Sequence, residues 1–480
     1  MGRLWLPGLF CVLGAMGAGC VPSVHSYPIG GPAVHPLALT TDSPEVRAGR
    51  ERLEAYLQWG FQQQHYPTMT AGVVVDRELV YEHYIQSHGR RTYALASITK
   101  TFTATAIMQL VDRGLVHLDD PITKFFPDLD LSTPGLDSEP ILIRHLLSHT
   151  SGIPDLRYYD HPDWVSEQES GLEFRVPRQI YPAGRHYRYA NHGFMILGAV
   201  VEQVSGQPLE EYYRTYIFEP LDMRDAHYGS NLSGAFGIYT SLHDLANYAI
   251  MWLNEGRNLR GQQVLSPEAV RMMLEPPLIY PDGTNLPYCG LGWRVHREGN
   301  YVNTFFHIGG ADGTMTWIQM FPRYRVAILY LGNPPEMRDE VMYRIPEIQH
   351  RLGDLATAMV GAPQPVYNYE PSIAGSSLRS RIVGQYQDPL NNQAIEVREE
   401  DGRLMASWLR GRTEQIVPVA PRQYQGTASG IVYDFPFTSY DGSAVGIATM
   451  SQYFFRAGEQ SADKDLEGAH PDELPLLASP

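Results

Sequence analysis

Lysine is almost missing from this sequence: among 480 residues only Lys100, Lys124 and Lys464 occur, and arginine supplies the rest of the positive charge. Arginine stays protonated at any usable pH, whereas a desolvated lysine can release its proton. Cysteine is as scarce, with only Cys11, Cys20 and Cys289, which leaves no disulfide framework to build on. Positive charge as a whole is outweighed, 37 Lys and Arg against 53 Asp and Glu, for a formal charge of −16. That balance argues against nucleic acid or an anionic membrane surface as a partner. No zinc-like Cys/His spacing occurs, and no Gly-x-Ser-x-Gly, so an α/β-hydrolase elbow has no candidate and no cofactor is called for. Beyond the first residues, no apolar run is long enough to span a bilayer.

The N-terminus reads as a targeting segment. Arg3 is a short positive region, Leu4 to Met16 is apolar, and Gly17-Ala18-Gly19-Cys20 resembles a bacterial lipobox with glycine where leucine is usual. Residues 1–20 are therefore expected to be removed and Cys20 to carry a lipid, with an ordinary signal peptide as the alternative. The mature protein is expected to be exported, periplasmic or membrane-tethered in a bacterium, with the lipid as its sole membrane contact.

At this length more than one domain is expected, since single cores stop growing near ~250–300 residues. Residues 21–42 read as a tether. Residues 43–362 open with a helix at Ser43-Pro44-Glu45, continue with strands at Thr70 to Val75 and Leu79 to Ile85, and pass through a helical, loop-rich middle. Strands return at Tyr301 to Phe306, Thr314 to Phe321 and Tyr324 to Leu331, and a helical stretch from Pro335 to Val360 ends the domain. Strands at both ends with helices between predict an α+β fold: an antiparallel sheet flanked by helices, with a helical insert. Residues 363–377 read as a linker. Residues 378–457 switch to short alternating strands with Asp401-Gly402 and Asp441-Gly442 turns, the pattern of a small antiparallel β-barrel. The acidic residues 458–480 read as a disordered tail.

One of the three lysines follows a serine by one helical turn, in Ser97-Ile98-Thr99-Lys100. A nucleophilic serine needs a group that takes its proton or holds a base in place. Ser461-Ala462-Asp463-Lys464 has the same spacing but lies in the acidic tail. Ser97 instead opens an apolar run from Phe102 to Val111 that stops at Gly114, a buried helix with glycine past its end. The plainer reading is a serine N-cap beside a solvated lysine. Tyr189-Ala190-Asn191 precedes a second apolar helix, Met195 to Val204, ended by Gly206. His307-Ile308-Gly309-Gly310 follows a strand, and His149 closes a helix containing Leu146 and Leu147. Tyr189 could be a packed aromatic, His307 a core histidine, and His145 with His149 a metal pair, although the Glu of His-Glu-x-x-His is absent.

Together, Ser97-x-x-Lys100, Tyr189-x-Asn191 and His307-x-Gly309 resemble the serine β-lactamase and penicillin-binding-protein superfamily, on its class C, D-aminopeptidase, DD-carboxypeptidase and esterase side. The flanking phrases His145 to Gly152, Phe218 to Met223, Ser241 to Ala246 and Gly290 to Trp293 extend the likeness, and the C-terminal strands resemble the lipocalin-like domain some members append. The resemblance implies Ser97 as acylated nucleophile, Lys100 and Tyr189 as the groups that move its proton, and Asn191 as a residue orienting Lys100 and the substrate. It implies an oxyanion hole from the N–H groups of Ser97 and Gly310, with His307 and Gly309 on the neighbouring strand. The third motif departs from the Lys-Thr-Gly of class C β-lactamases; a histidine is only partly charged near pH 7, so its hold on a β-lactam carboxylate is expected to be weaker. An amide or ester is therefore the expected substrate, first a D-amino-acid or peptidoglycan stem peptide. A β-lactamase or acyl transferase with the same site, or a non-catalytic penicillin- or peptidoglycan-binding protein, are the alternatives. Oligomeric state is not legible.

Overall fold

The computed structural model describes residues 44–64, 68–132, 136, 138–154, 174–175, 178–275 except 181 and 186, 290–298 and 301–333 except 312. It also describes residues 352–353, 355–356 and 359–360, much of 382–456, and 476–477. Cys20, the tether, the linker, Cys289 and Ser461 to Lys464 lie outside the described residues.

Helix α1 (Pro44–Gln64) leads into β1 (Thr68–Val75) and β2 (Glu78–Ile85), which turn at Asp76-Arg77, where Asp76 takes a left-handed φ of 58°. A two-residue strand, β3 (Tyr93–Ala94), precedes the turn that carries Ser97 and helix α2 (Thr99–Asp112). The middle of the chain supplies α3 (Ile143–Leu147), β4 (Phe174–Arg175), α4 (Asn191–Ser205), α5 (Leu209–Tyr213), β5 (His227–Ser233), β6 (Phe236–Thr240), α6 (Leu242–Leu253) and α7 (Pro267–Leu274). Strands β7 (Arg294–Glu298), β8 (Tyr301–Ala311), β9 (Thr314–Phe321) and β10 (Val326–Asn333) close the domain. The main sheet has six antiparallel strands in the order β2-β1-β10-β9-β8-β7, so β1 pairs with a strand some 260 residues away, Thr68 facing Asn333.

Both faces of this sheet are covered, which is why β1, β9 and β10 are buried almost throughout. Val74, Ala327, Leu329 and Leu331 point into a core shared with α2, α4 and α6. Their neighbours Val73, Val326, Ile328 and Tyr330 point the other way, onto Val46 and Leu53 of α1 and Leu352, Leu355 and Met359. The period-2 alternation of a strand thus serves two cores. The helix ends follow local chemistry: Ser241 and Ser266 cap α6 and α7 by accepting from the N–H groups of Asp244 and Ala269, and Gly206 ends α4 in the left-handed region.

Eight antiparallel strands, from β11 (Gly384–Gln387) to β18 (Tyr453–Arg456), form a closed barrel with its own core of Ile382, Tyr386, Ile395, Val397, Leu404, Ala406, Ile416, Tyr424 and Tyr433. Asp401 and Gly402, both at positive φ, make the tight turn of one of its hairpins. Near the C-terminus, β19 (Leu476–Leu477) pairs with β4.

Three features differ from the sequence expectation. Ser97 lies in a 3-10 turn, Ala96–Ile98, and the α-helix begins two residues later. Strand β8 runs through His307-Ile308-Gly309-Gly310 to Ala311 instead of ending before it. The helical middle also contains the β5–β6 hairpin, which with β3 forms a separate three-stranded sheet. Gly229, Gly234 and Gly237 hide that hairpin in the sequence, because they read as breakers, whereas Gly229 and Gly234 permit close packing and Gly237 takes a positive φ of 117°.

Candidate active site

Helix α2 is buried along nearly its whole length, so its threonine hydroxyls and its lysine turn to carbonyl partners. Thr101, Thr103 and Thr105 return their hydroxyls to the carbonyls of Ile98, Thr99 and Thr101. Lys100, fully buried at 0% exposure, is held in the same way: its Nζ donates to the Ala235 carbonyl at 2.9 Å and to Ser97 Oγ at 3.1 Å. The solvated-lysine reading of Ser-x-x-Lys is thereby excluded. The Ala235 carbonyl is presented by the β5–β6 turn, an element that no sequence pattern announced. That turn packs so closely on α4 that a Cβ on Gly234 would lie 2.1 Å from the Phe194 carbonyl.

Tyr189 comes from the segment before α4, and Asn191 is the first residue of that helix. Tyr189 is 8% exposed and its ring centroid lies 5.0 Å from Lys100 Nζ. The Arg294 guanidinium carbon is 5.7 Å from the same centroid. His149 leans on the same ring at 4.3 Å, and its Nδ1 accepts from the Ala190 N–H at 3.1 Å, pinning the residue between Tyr189 and Asn191. Burial holds the His149 imidazole well below its ordinary pKa, helped by the positive charges of Lys100 and Arg294. His145, the other member of the candidate metal pair, takes the Leu142 N–H on its Nδ1 at 3.2 Å, and burial lowers its pKa to about 4. Both histidines therefore serve as neutral backbone acceptors. Among the described residues no group of three or more His, Cys, Asp or Glu is placed to hold a metal ion.

His307 is 3% exposed, and its Nδ1 stands 2.8 Å from the Ile308 carbonyl, to which it donates. Burial, then Arg294, then Lys100 hold its pKa well below the usual histidine range. A partly charged imidazolium reading a carboxylate, as the sequence suggested, does not fit this environment. The cation that faces the small cavity lined by His149, Tyr187, Tyr189, Trp293 and His307 is instead Arg294. Sequence reasoning stopped one residue short of it, at Trp293 of the Gly290-Leu-Gly-Trp293 phrase. No sequence pattern singled it out, because Arg294 opens a strand, Arg294–Glu298, that is rich in charge throughout.

Gly309 and Gly310 follow on β8. Gly309 faces the Ser97 turn so closely that a Cβ there would stand 2.1 Å from the Leu95 carbonyl, while Gly310 is exposed. The turn itself is strained: Ala96 has φ of 45°, a left-handed value that costs a non-glycine residue about 1–2 kcal/mol. Strain of this kind directly before a serine aims the side chain out of the helix end. Lys100 thus links Ser97, at 3.1 Å, to the Tyr189 ring, at 5.0 Å, with Asn191, Arg294, His307, Gly309 and Gly310 on the elements around it.

A family model described as Beta-lactamase matches residues 50–350. An Escherichia coli (strain K12) protein named "Putative D-alanyl-D-alanine carboxypeptidase" is 29% identical over 409 residues, covering 67% of this chain and 90% of its own. Penicillin-binding protein 4* of Bacillus subtilis is 23% identical over 357 residues, 65% of this chain and 75% of the relative. Among solved structures, the octameric penicillin-binding protein homologue from Pyrococcus abyssi superposes with a TM-score of 0.52 at 21% identity, covering 84% of this chain and 99% of that one. SurE superposes with a TM-score of 0.56 at 19% identity, over 86% and 100% of the two chains. The matched span holds the six-stranded sheet and every residue of the Ser97 site, and the chain belongs to the beta-lactamase family, in the superfamily of penicillin-binding-protein-like serine hydrolases.

Proposed function

We propose that the protein is an exported serine hydrolase that acts through an acyl-serine intermediate on amides or esters. Its first substrate class is the D-amino-acid peptide or peptidoglycan stem peptide that ends in a carboxylate. The observation that carries this reading is the buried Lys100 Nζ, 3.1 Å from Ser97 Oγ and 2.9 Å from the Ala235 carbonyl. In this reading Ser97 loses its proton to the Lys100–Tyr189 pair and attacks the substrate carbonyl. The Ser97 and Gly310 N–H groups hold the oxyanion, an interaction worth about 3 kcal/mol per donor in comparable sites. The leaving amine or alcohol recovers the proton, and water then releases the acyl group from Ser97. Asn191 orients Lys100 and the substrate amide.

Two facts support the substrate class. The Escherichia coli relative is named for carboxypeptidase action, and Arg294 places a permanent positive charge beside the Tyr189 ring, where a substrate carboxylate has a partner. The test pairs a D-alanyl-D-alanine-terminated peptide with its C-terminal amide. The wild-type protein should prefer the acid, and Arg294→Gln should raise KM for the acid by about tenfold or more while leaving the amide unchanged. Equal losses on both substrates would remove Arg294 from carboxylate recognition, and turnover of neither, with rapid turnover of simple esters, would move the substrate class to esters.

A further inference from the structure

Strand β9 is buried from end to end, yet its third residue is a threonine. Valine would fill that space without bringing a hydroxyl into the interior, where a polar group is costly unless it is bonded. Thr316 turns its hydroxyl across the molecule: Oγ1 donates to the Leu95 carbonyl at 3.0 Å, joining residues 221 positions apart, with the Gly309 carbonyl a longer acceptor at 3.4 Å. The Leu95 carbonyl also accepts the N–H of Ile98 at 3.1 Å, and that bond closes the 3-10 turn around Ala96 and Ser97. One oxygen therefore both closes the strained nucleophile turn and ties it to the sheet.

Gly309 completes the seat. It pairs with Thr316 across β8 and β9, and a Cβ on it would lie 2.1 Å from the Leu95 oxygen and 2.2 Å from Thr316 Oγ1. The missing side chain at 309 lets the Leu95 carbonyl reach the sheet, and the Thr316 hydroxyl meets it there. The next residue along β8 is Gly310, which is exposed, and two residues along the turn from Leu95 is Ser97, which is partly exposed. These two supply the backbone donors on which the hydrolase reading above relies, and this inference rests on that reading.

We propose that Thr316 is a positioning residue: its bond to the Leu95 carbonyl fixes the Ser97 turn against β8 and so sets the spacing between the Ser97 and Gly310 N–H groups. An oxyanion hole acts through donors placed within tenths of an ångström of where charge develops, so a loosened turn lowers turnover more than ground-state binding.

The test compares Thr316→Val, which keeps the shape and removes the donor, with Thr316→Ser, which keeps the donor. The readouts are turnover of 4-nitrophenyl acetate, the rate of labelling by a fluorophosphonate, and inhibition by a phenylboronic acid that forms a tetrahedral adduct. Thr316→Val should lower kcat and the labelling rate by about 10–100-fold, weaken the boronic acid by a similar factor and hold KM within about twofold. Thr316→Ser should return all three to within about threefold of wild type, with both variants folded by circular dichroism. If Thr316→Val does not fold, Thr316→Ala removes the same donor without crowding the turn. Wild-type kcat in the donor-less variant, a loss confined to KM, or equal impairment by serine would overturn the assignment while the hydrolase reading stands. A wild-type protein that takes no label and turns over no ester would overturn both.

Discussion

Two basic side chains lie close to the Tyr189 ring, Lys100 at 5.0 Å and Arg294 at 5.7 Å, and two histidines near it are kept neutral by burial and by those same charges. The division of labour follows from side-chain chemistry: arginine holds its charge at every working pH, while a buried histidine surrendering its charge leaves the field to its neighbours. The sign of the pH effect is therefore fixed. A histidine whose folded pKa lies well below 6.5 is already neutral above that pH, so nothing in substrate binding should titrate there on account of His307. KM for a carboxylate substrate, divided by KM for its neutral partner, should stay flat between pH 6 and 8. A ratio climbing through about pH 6.5 would restore His307 as the carboxylate reader.

At the scale of elements, the regular pieces were legible and the junctions were not. Helix α2, the β1–β2 hairpin and α4 with its Gly206 cap follow from apolar periodicity and a few turn residues, as does the Asp401-Gly402 turn in the barrel. What sequence could not show was that Gly309 and Gly310 continue a strand. Their glycines admit a backbone from elsewhere, and only the folded chain reveals that the visitor is Leu95. The β5–β6 hairpin was missed for the same reason, and with it the Ala235 carbonyl that holds Lys100. At the start of α6, Asp244 accepts the Asp225 N–H at 2.6 Å, yet burial dominates and raises its pKa from 3.8 to about 6. The protonated form is thus favoured by folding: the stabilisation is fully present below pH 3.8 and is lost as pH rises through about 6. Between pH 4.5 and 6.5 the melting temperature should fall by about 2–4 °C more in the wild type than in Asp244→Asn, which cannot ionise there. Parallel curves for the two proteins would show that the neighbouring N–H groups already offset the burial.

Among the described residues of the whole molecule, the sheet's two faces and the barrel's interior give three hydrophobic cores, and the helices that carry Lys100 and Asn191, α2 and α4, pack in the one they share with α6. The lipid reading of Cys20 lies outside the described residues and stands as a proposal: among the described residues no helix is long and apolar enough to cross a membrane. Cys20→Ala should shift the protein from the membrane to the soluble fraction of a bacterial host, whereas unchanged fractionation would favour an ordinary signal peptide. The central claim, that a serine with a buried lysine at 3.1 Å is a nucleophile, is tested most directly on the intact protein. A fluorophosphonate probe should add one mass increment per chain, map to Ser97 on digestion, and disappear in Ser97→Ala while the melting temperature changes little, since the Ser97 side chain is partly exposed and caps no helix. A label that persists in Ser97→Ala, or that maps to Ser461, would contradict the account.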